Sequence, residues 1–265
     1  MTAGTIITNT IRRTSGSRPI ATVTISRPSK LNSLNSHLLN LLSHEIRTIH
    51  QSHPDLLAVI LTGHGTKSFV GGADIGEMAT LASPATAREF ITKVHTACKS
   101  IRDCPVPVIG RINGYALGAG LEIAASCDFR VASRNAVFGM PEVNVGIPSV
   151  VEAALLPGLI GWGRTRRLLM LGENISAAAA LQWGLVEKVV EPENLDHAVD
   201  EWIQLLDRSG PGAVRQQKKL IRQWEQLGLD SAIEAGIPAF AESFESDGEG
   251  QRMLSEFFER RQKSK

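Results

Sequence analysis

Two glutamates in apolar surroundings are the residues of this chain best suited to chemistry. Glu122 lies in "GYALGAGLEIAASCDF", where almost every residue from 116 to 127 is small or apolar. Glu142 follows Pro141 at the end of the apolar segment "AVFGM". Burying an isolated carboxylate is costly, so such a group needs a reason. Two carboxylates in apolar surroundings can have raised or divided pKa values, which would let them hold and activate one water molecule.

Two glycine-rich turns precede predicted helices and could supply hydrogen-bond donors. The first is "GGADI", around Ala73, and the second is "GAGLE", around Ala119. The first N–H groups of a helix have no intrahelical acceptor and lie at the positive end of the helix dipole. Two of them aimed at one point would form an oxyanion hole, where one donor contributes about 3–4 kcal/mol. From spacing alone we prefer the simpler interpretation, two tight turns that need glycine for steric reasons.

The position of each glutamate also allows a structural role. Glu122 comes three residues after Ala119, so its side chain starts about one helical turn from that N–H group. Glu142 could be a loop carboxylate paired with an arginine, such as Arg164, Arg166 or Arg167. Both interpretations of Glu142 are open at this point.

Two further carboxylates are predicted to stabilise helix starts. Ser149 followed three residues later by Glu152 has the spacing of a capping box, and we favour that role over catalysis for Glu152. Asp74 is expected to favour the N-terminus of the helix that follows "GGAD" electrostatically rather than to act on a substrate.

Several common catalytic motifs are absent from the sequence. There is no GxxxxGK[ST] loop, no GxSxG elbow and no HExxH metal motif. Gly118 and Gly120 form GxG, but the third glycine of a dinucleotide fingerprint is missing, and Glu122 would intrude on a pyrophosphate. Four histidines lie on one predicted helix, where we favour solvation over metal binding: His37, His44, His50 and His53.

Composition and charge exclude several function classes. The chain has 265 residues, 43% of them hydrophobic, which allows one large domain or two small ones with a sizeable core. A formal net charge of +1 argues against a dedicated nucleic-acid binder. No apolar stretch reaches transmembrane length. The cysteines match no zinc spacing and are interpreted as buried thiols in a reducing, intracellular compartment; they are Cys98, Cys104 and Cys127.

The two ends of the sequence leave the compartment open. The chain has no acidic residue before Glu45, and its early arginines, among them Arg12, Arg13 and Arg18, faintly resemble a transit peptide. Because residues 20–26 already alternate like a strand, we expect too little chain for a separate leader. The last three residues, 263–265, lack the leucine that ends a peroxisomal address. Cytoplasm, mitochondrion and peroxisome are all compatible with these features.

Apolar periodicity predicts the elements that must position these groups. Strands are predicted at "IATVTIS" (20–26), "LLAVILTG" (56–63), "VPVIGRI" (106–112), "DFRVAS" (128–133), "AVFGMPE" (136–142) and "GLVEKVV" (184–190). Helices are predicted over residues 36–51 and 85–102, and from about residue 193 the pattern is helical to the end. Strands that alternate with helices indicate α/β architecture with parallel pairing. We therefore predict an α/β core domain (1–192) and a helical C-terminal region (193–265).

Several ordered motifs resemble the crotonase superfamily, and specifically its enoyl-CoA hydratases. They run from about residue 20 to 261: "SRPSKLNSLN", "FVGGADIGEM", "INGYALGAGLEIAASCDFRVAS", "FGMPEVNVGIP", "ISAAAALQWGLVEKVV" and "GEGQRMLSEFFERR". Such a series is far more specific than any one glycine-rich loop. The resemblance implies a crotonase-like spiral of ββα units, with C-terminal helices that mediate assembly into trimers and often into hexamers.

The resemblance also implies a site for an acyl-CoA thioester. On the matching positions, the N–H groups of Ala73 and Ala119 form the oxyanion hole, and Glu122 and Glu142 are the catalytic pair. The segments that match coenzyme A-binding segments contribute Lys30, Leu31, Gly71, Gly72, Asp74, Ile75 and Gly118. Many relatives carry glycine at the position of Ala119, but the donor is a backbone group, so alanine can serve where its conformation allows.

The implied reaction is the hydration of a trans-2-enoyl-CoA to a 3-hydroxyacyl-CoA. No metal or redox cofactor is implied, because hydrogen bonds stabilise the enolate and coenzyme A is part of the substrate. The alternative is double-bond isomerisation, or another acyl-CoA reaction at the same oxyanion hole; isomerisation needs one carboxylate, so two favour hydration. One branch of the superfamily binds RNA through a lysine-rich helix. The matching helix here, "SHLLNLLSHEIRTIHQSH", has one arginine and no lysine. Because phosphate binding depends on several cations, we expect no nucleic-acid partner.

One segment departs from the pattern of the resemblance. After the second glutamate many hydratases continue with a glycine-rich turn like "PGAGG", whereas this chain has "GIPSVVEAALLPGLIG". The segment is expected to border the acyl group, which makes Glu152 a candidate acyl-pocket residue. The sequence leaves open the acyl chain and the pathway, whether fatty-acid oxidation or secondary metabolism.

Overall fold

The computed structural model describes residues 4–12, 18–245 and 248–263. Arg13, from the arginine-rich N-terminal segment, and Ser264 and Lys265, from the last three residues, lie outside these ranges. Within the described ranges the chain forms ten strands and ten α-helices. Every strand and helix predicted above is present in the structure, with its ends shifted by a few residues.

The strands and helices have the following bounds. The strands are β1 (Thr5–Arg12), β2 (Pro19–Ser26), β3 (Ala58–Gly63), β4 (Ser68–Val70), β5 (Val108–Ile112), β6 (Tyr115–Leu117), β7 (Phe129–Ser133), β8 (Val137–Gly139), β9 (Asn174–Ser176) and β10 (Lys188–Val190). The helices are α1 (Ser36–Ser52), α2 (Ile75–Met78), α3 (Pro84–Arg102), α4 (Ala119–Ser126), α5 (Leu156–Leu171), α6 (Ala177–Trp183), α7 (Leu195–Asp207), α8 (Pro211–Trp224), α9 (Leu229–Glu245) and α10 (Glu249–Lys263).

The longer strands form one six-stranded sheet in the order β1-β2-β3-β5-β7-β10. All neighbours in this sheet are parallel except β1 and β2, which pair antiparallel along their whole length. The predicted parallel pairing is therefore confirmed, and β1 is a strand that the sequence patterns did not predict. Parallel neighbours need a crossover, which the helices between them supply.

The short strands form a second sheet of four, in the order β4-β6-β8-β9. β4, β6 and β8 each follow a strand of the larger sheet after a few residues, and they pair parallel with one another. The repeated unit is thus a long strand, a short strand and then a helical segment, which matches the predicted spiral of ββα units. The short strands end where the candidate oxyanion turns begin.

Helices cover both faces of the larger sheet. One core cluster joins the inner face to α1, α3 and α4, and all eight residues of α4 are buried. A second cluster joins the other face to α7, through Leu195, Ala198, Val199 and Ile203. Each fully buried aliphatic side chain contributes roughly 1.5–3 kcal/mol, so α4 is held rigidly. That rigidity matters because Glu122 lies on α4.

The last three helices leave much apolar surface open. Along α9 and α10 the exposed large hydrophobic side chains include Ile233, Ile237, Phe240, Leu254, Phe257 and Phe258. α8 and α9 pack against each other, and α10 packs against α9. Among the described residues, no helix combines the length and the hydropathy that crossing a bilayer requires.

Candidate active site

The start of α4 depends on a glycine in the left-handed region. Gly118 has φ 51°, and its N–H donates to the carbonyl of Gly139 at 2.9 Å, which ties the turn to the end of β8. A Cβ at this position would lie 2.4 Å from Oε1 of Glu142. Only glycine meets both demands, because it tolerates a positive φ and leaves room for the carboxylate. Glu142 therefore lies directly against the turn that precedes Ala119.

The two glycine-rich turns contact each other. Gly72 has φ 112°, and a Cβ there would come within 3.2 Å of the carbonyl oxygen of Leu117. A Cβ on Gly120 would come within 2.0 Å of the carbonyl oxygen of Val70, so α4 begins in backbone contact with the end of β4. The absence of side chains at these glycines brings the segment of Ala73 next to the segment of Ala119.

The backbone around Ala73 leaves its N–H group unused. Leu34 forms an isolated parallel bridge with Ala73: its N–H donates to Gly72 and its carbonyl accepts from Asp74, both at 2.8 Å. In such a bridge Ala73, which lies between Gly72 and Asp74, directs its own N–H away from Leu34. Ala119 is the first residue of α4, where N–H groups have no intrahelical acceptor. Neither amide has a backbone acceptor within the described ranges.

Asp74 holds the first turn in place. Its carboxylate accepts from the N–H groups of Gly76 at 2.8 Å and Glu77 at 3.2 Å, and it forms a buried ion pair with Arg27. Burial raises the pKa of Asp74, but hydrogen bonds from Arg27 and the two amides, with the Arg27 charge, outweigh it and lower that pKa overall. The predicted role of Asp74 at the helix N-terminus is confirmed.

The structure brings the candidate coenzyme A-binding residues together. Leu31 has φ 52°, and its carbonyl oxygen accepts from the N–H of Gly71 at 2.8 Å and from the Ser68 hydroxyl at 2.8 Å. Lys30 is exposed beside it, and Ile75 is exposed at the start of α2. Lys30, Leu31, Gly71 and Ile75 thus lie beside the turn that carries Ala73. Their binding of coenzyme A stays a prediction.

Glu122 is a buried carboxylate with one backbone donor. Its side chain is 5% exposed, and Oε1 accepts from the N–H of Ala153 at 3.2 Å. Burial raises the pKa of Glu122 to about 8; the hydrogen bond from Ala153 opposes this, while the charges of Glu142 and Glu152 add to it. The effect of Glu142 on this pKa shows that the two predicted carboxylates share one region of the structure.

Glu142 lies in the 3₁₀ turn Pro141–Val145 and is oriented by a hydroxyl. The Ser149 hydroxyl donates to Oε2 of Glu142 at 2.8 Å. Pairing of Glu142 with an arginine, one of the two interpretations above, is wrong, because these arginines have other partners. Arg164 donates to the carbonyl of Trp183, Arg166 lies over the ring of Trp162, and Arg167 pairs with Glu173.

The predicted capping box at Ser149 and Glu152 is wrong. The segment forms a 3₁₀ turn, Val151–Leu155, whose N-cap residue is Val150 and has no side-chain cap. The reason is local: Val151 has φ 41°, which no α-helix start adopts, and the Ser149 hydroxyl is engaged by Glu142. Glu152 turns instead to α3, where it hydrogen-bonds to His95. Its candidate role in an acyl pocket stays a prediction.

The remaining sequence candidates behave as ordinary side chains. The three cysteines are buried and unpaired, as predicted. His37 and His44 are exposed on α1, and His50 and His53 are half-buried. Over residues 4–12, 18–245 and 248–263, no group of three or more His, Cys, Asp or Glu side chains is placed to hold a metal ion.

Two groups beside the carboxylates are absent from the predicted site. They are the Ser149 hydroxyl on Glu142 and the Ala153 amide on Glu122. The serine and its partner lie in a segment of 3₁₀ turns and loop, where no regular periodicity applies, and a backbone donor leaves no signal in residue type. The one clue in the sequence was a serine between a proline and an apolar run, seven residues after Glu142.

Comparison with known proteins identifies the family of this chain. The profile of the family described as Enoyl-CoA hydratase/isomerase matches residues 15–264. The chain belongs to the enoyl-CoA hydratase/isomerase family. A short-chain-enoyl-CoA hydratase of Clostridium acetobutylicum is 40% identical, over 91% of this chain and 92% of the relative. A crotonyl-CoA hydratase of Syntrophomonas wolfei is 37% identical, over 91% and 92%.

Solved structures agree with the family membership. The crystal structure of an enoyl-CoA hydratase from Bacillus anthracis superimposes with a TM-score of 0.87 at 31% identity, covering 96% of both chains. The predicted crotonase-like fold of this family member is therefore confirmed, as is the predicted enzyme class, an enoyl-CoA hydratase. The predicted assembly into trimers or hexamers stays a prediction.

Proposed function

We propose that the protein adds water across the 2,3 double bond of a trans-2-enoyl-CoA with four groups of its own. The Ala73 and Ala119 N–H groups form the oxyanion hole, and Glu122 and Glu142 are the acid–base pair. The contact between the two glycine-rich turns carries this proposal: Gly72, next to Ala73, approaches the carbonyl of Leu117, and Glu142 lies against Gly118, the residue before Ala119.

The reaction uses these groups in a defined order. The thioester oxygen accepts hydrogen bonds from the two amides, which polarise the enoyl group and stabilise the enolate that forms. Glu122, in its ionised form, accepts a hydrogen bond from the attacking water and orients it. The water oxygen bonds to C3 while Glu142 takes one of its protons, and Glu142 then delivers a proton to C2. The sum is the addition of one water molecule, and Glu142 returns to its starting charge.

Neither a metal ion nor a redox cofactor takes part in this scheme. The enolate is stabilised by hydrogen bonds, no electron leaves the substrate, and coenzyme A enters as part of that substrate. We place the coenzyme A moiety against the exposed turn of Lys30 and Leu31 and against Gly71, which contact each other. Asp74 keeps the neighbouring loop in shape rather than contacting the thioester.

The names of two relatives support crotonyl-CoA as the substrate. The two relatives described above are named a short-chain-enoyl-CoA hydratase and a crotonyl-CoA hydratase. The second carboxylate favours hydration over isomerisation, because a single carboxylate suffices to move a proton between C2 and C4. We place the protein in a reducing intracellular compartment, because its three cysteines are buried thiols rather than disulfides.

Hydration of crotonyl-CoA is the direct test. Loss of the conjugated thioester absorbance would report hydration, whereas an isomerase would leave this substrate conjugated. Glu122→Gln and Glu142→Gln should each lower kcat by at least about 100-fold, since each removes an acid–base group, with binding of the CoA ester retained. Glu89→Gln, which removes an exposed carboxylate from α3, is the matched control. Near-wild-type turnover by either test variant would overturn the role given to that residue.

The pH dependence of the reaction follows from the same assignment. Glu122 must be ionised to accept the hydrogen bond of water, and its pKa is about 8 in the free protein. We therefore expect kcat/KM for crotonyl-CoA to rise with pH and to level off above about pH 8, because kcat/KM reports ionisations of the free enzyme. A flat profile from about pH 6 to 9 would contradict the requirement for ionised Glu122.

A further inference from the structure

Glu152 is a buried carboxylate that the proposed reaction does not use. It is 2% exposed, and its Oε1 lies 2.9 Å from Nδ1 of His95 and 3.7 Å from Nη1 of Arg102, both on α3. Its Oε2 is buried and has no hydrogen-bond partner in the described part of the chain. A buried charge with an unsatisfied oxygen is costly, so its presence calls for a specific role.

The position of Glu152 in the chain links it to Glu122. The next residue, Ala153, donates its N–H to Oε1 of Glu122 at 3.2 Å. The residue before it, Val151, has φ 41°, which is rare for a β-branched side chain. Strain of this kind persists only where the surroundings hold the backbone, and it concentrates at functional sites. The contacts of Glu152 with His95 and Arg102 on α3 lie next to this strained residue.

We propose that Glu152, anchored to α3 by His95 and Arg102, is a positioning residue for Glu122. It holds the strained turn that aims the Ala153 amide at the Glu122 carboxylate, and it places a negative charge behind that carboxylate. This inference rests on the proposed role of Glu122 in activating water. Glu152 is assigned no contact with the substrate.

The charged groups around the two carboxylates support this coupling. Glu152 faces His95 and Arg102 on α3, and its charge raises the pKa of Glu122. Glu122 faces Glu142 from the 3₁₀ turn Pro141–Val145, and the Cys98 thiol of α3 is buried within range of both Glu122 and Glu152. His95 and Arg102 also line a cavity of about 1500 Å³ between α3 and the C-terminal helices α8, α9 and α10.

Two variants should move the pH profile in opposite directions. Glu152→Gln keeps the shape but removes the charge that raises the pKa of Glu122, so the rise of kcat/KM should move to lower pH. His95→Ala keeps the charge but loosens the turn, which weakens the Ala153 hydrogen bond that lowers the pKa of Glu122. In that variant the rise should move to higher pH. In His95→Ala, kcat should also fall about tenfold with KM nearly unchanged, because Glu122 is misplaced while the CoA contacts persist.

A double variant and a matched control complete the experiment. In Glu122→Gln/Glu152→Gln, kcat should fall no further than in Glu122→Gln alone, since Glu152 acts through Glu122. Glu89→Gln, on the exposed side of α3, should leave both kcat and the pH profile unchanged. His95 is 44% exposed, so His95→Ala is expected to fold even if Glu152→Gln does not.

The outcomes separate this inference from the proposed function. Wild-type kcat and an unshifted pH profile in the folded variants at Glu152 or His95 would overturn the positioning role. A purely structural role would lower the melting temperature without moving the profile, and that result also overturns the inference. Near-wild-type hydration by Glu122→Gln would instead overturn the proposed function on which the inference rests.

Discussion

Burial and hydrogen bonding act in opposite directions on the carboxylate of Glu122. Burial raises its pKa, the Ala153 amide lowers it, and the charges of Glu142 and Glu152 raise it again. The result is a pKa of about 8, so the ionised form of Glu122 that the proposed reaction needs becomes the main form as pH rises above about 8. The residue that stands out in an apolar sequence is thus a carboxylate whose pKa the fold raises strongly.

The raised pKa of Glu122 makes the stability of the protein depend on pH. The folded pKa of about 8 exceeds the ordinary value of 4.5, so its stabilising contribution is complete below about pH 4.5 and is lost as pH rises through 8. Glu122→Gln removes this titration. Its free energy of unfolding, relative to wild type, should therefore increase by about 1.4 kcal/mol per pH unit between these limits.

Denaturant unfolding at several pH values measures this difference. Glu89→Gln is the control, because the Glu89 carboxylate is exposed and Lys93 lowers its pKa, so its difference from wild type should be constant above about pH 5. A difference between Glu122→Gln and wild type that is equally constant would show that Glu122 is not buried as a carboxylate in the folded protein.

At the scale of elements, close backbone packing positions the two turns of the proposed oxyanion hole. α4 meets the end of β4 at Gly120, and the turn before α4 meets Gly72. β6 and β8 pair beside it, and Gly118 is bonded to Gly139 at the end of β8. The distance between the two amides is therefore set by contacts between backbones, which leave less freedom than contacts between long side chains.

A methyl group at Gly120 should separate these elements. Gly120→Ala would place its Cβ 2.0 Å from the carbonyl oxygen of Val70, so α4 must shift. We expect a loss of about 1–3 kcal/mol in unfolding free energy, as for an overpacked core, together with a fall in kcat of at least about tenfold. Urea unfolding and crotonyl-CoA hydration measure the two effects.

Gly158→Ala is the matched control within another helix. A Cβ at Gly158 of α5 meets no other atom within 4 Å, so this variant should be neutral or slightly stabilising. If Gly120→Ala were as stable and as active as Gly158→Ala, the close approach of α4 to β4 would have no part in positioning the site.

At the scale of the whole molecule, the C-terminal helices carry an apolar face without a covering element. Ile233, Ile237 and Phe240 follow one another by four and three residues on α9 and are 62%, 70% and 71% exposed. Such spacing places them on one face of the helix, and a large exposed apolar patch marks an interaction surface. This face supports the predicted self-association into trimers or hexamers through the C-terminal region.

Two charges on this face should dissociate the assembly. Ile237→Asp/Phe240→Asp is expected to shift the molar mass in solution from that of a trimer or hexamer to that of a monomer, because burying the aspartates would be costly. Sedimentation velocity measures the mass. Ser231→Asp, which adds one charge on the opposite side of α9, should keep the mass of the wild type. A wild-type protein that sediments as a monomer would contradict the prediction.

The fold was predictable where its signal is periodic and long. The apolar runs of β2, β3, β5 and β7 and the amphipathic helices α1 and α3 appear in the sequence at nearly their final bounds. β4, β6 and β9 have three residues each and lack the longer apolar run that surrounds β8 and β10, so no alternation indicates a strand. β1 lies in a segment that also resembles a transit peptide, and its sequence pattern did not predict a strand. Its pairing with β2 identifies it.

By itself the sequence determined the α/β class, the family and the two carboxylates, Glu122 and Glu142, because these depend on local periodicity and on motifs read along the chain. Only the tertiary structure decided which groups meet those carboxylates. The Ser149 hydroxyl turns to Glu142, the Ala153 amide to Glu122 and the Glu152 carboxylate to α3. The physical reason is that each contact involves the irregular segment 141–155 packed against other elements, and the packing of elements distant in sequence leaves no local periodic signal.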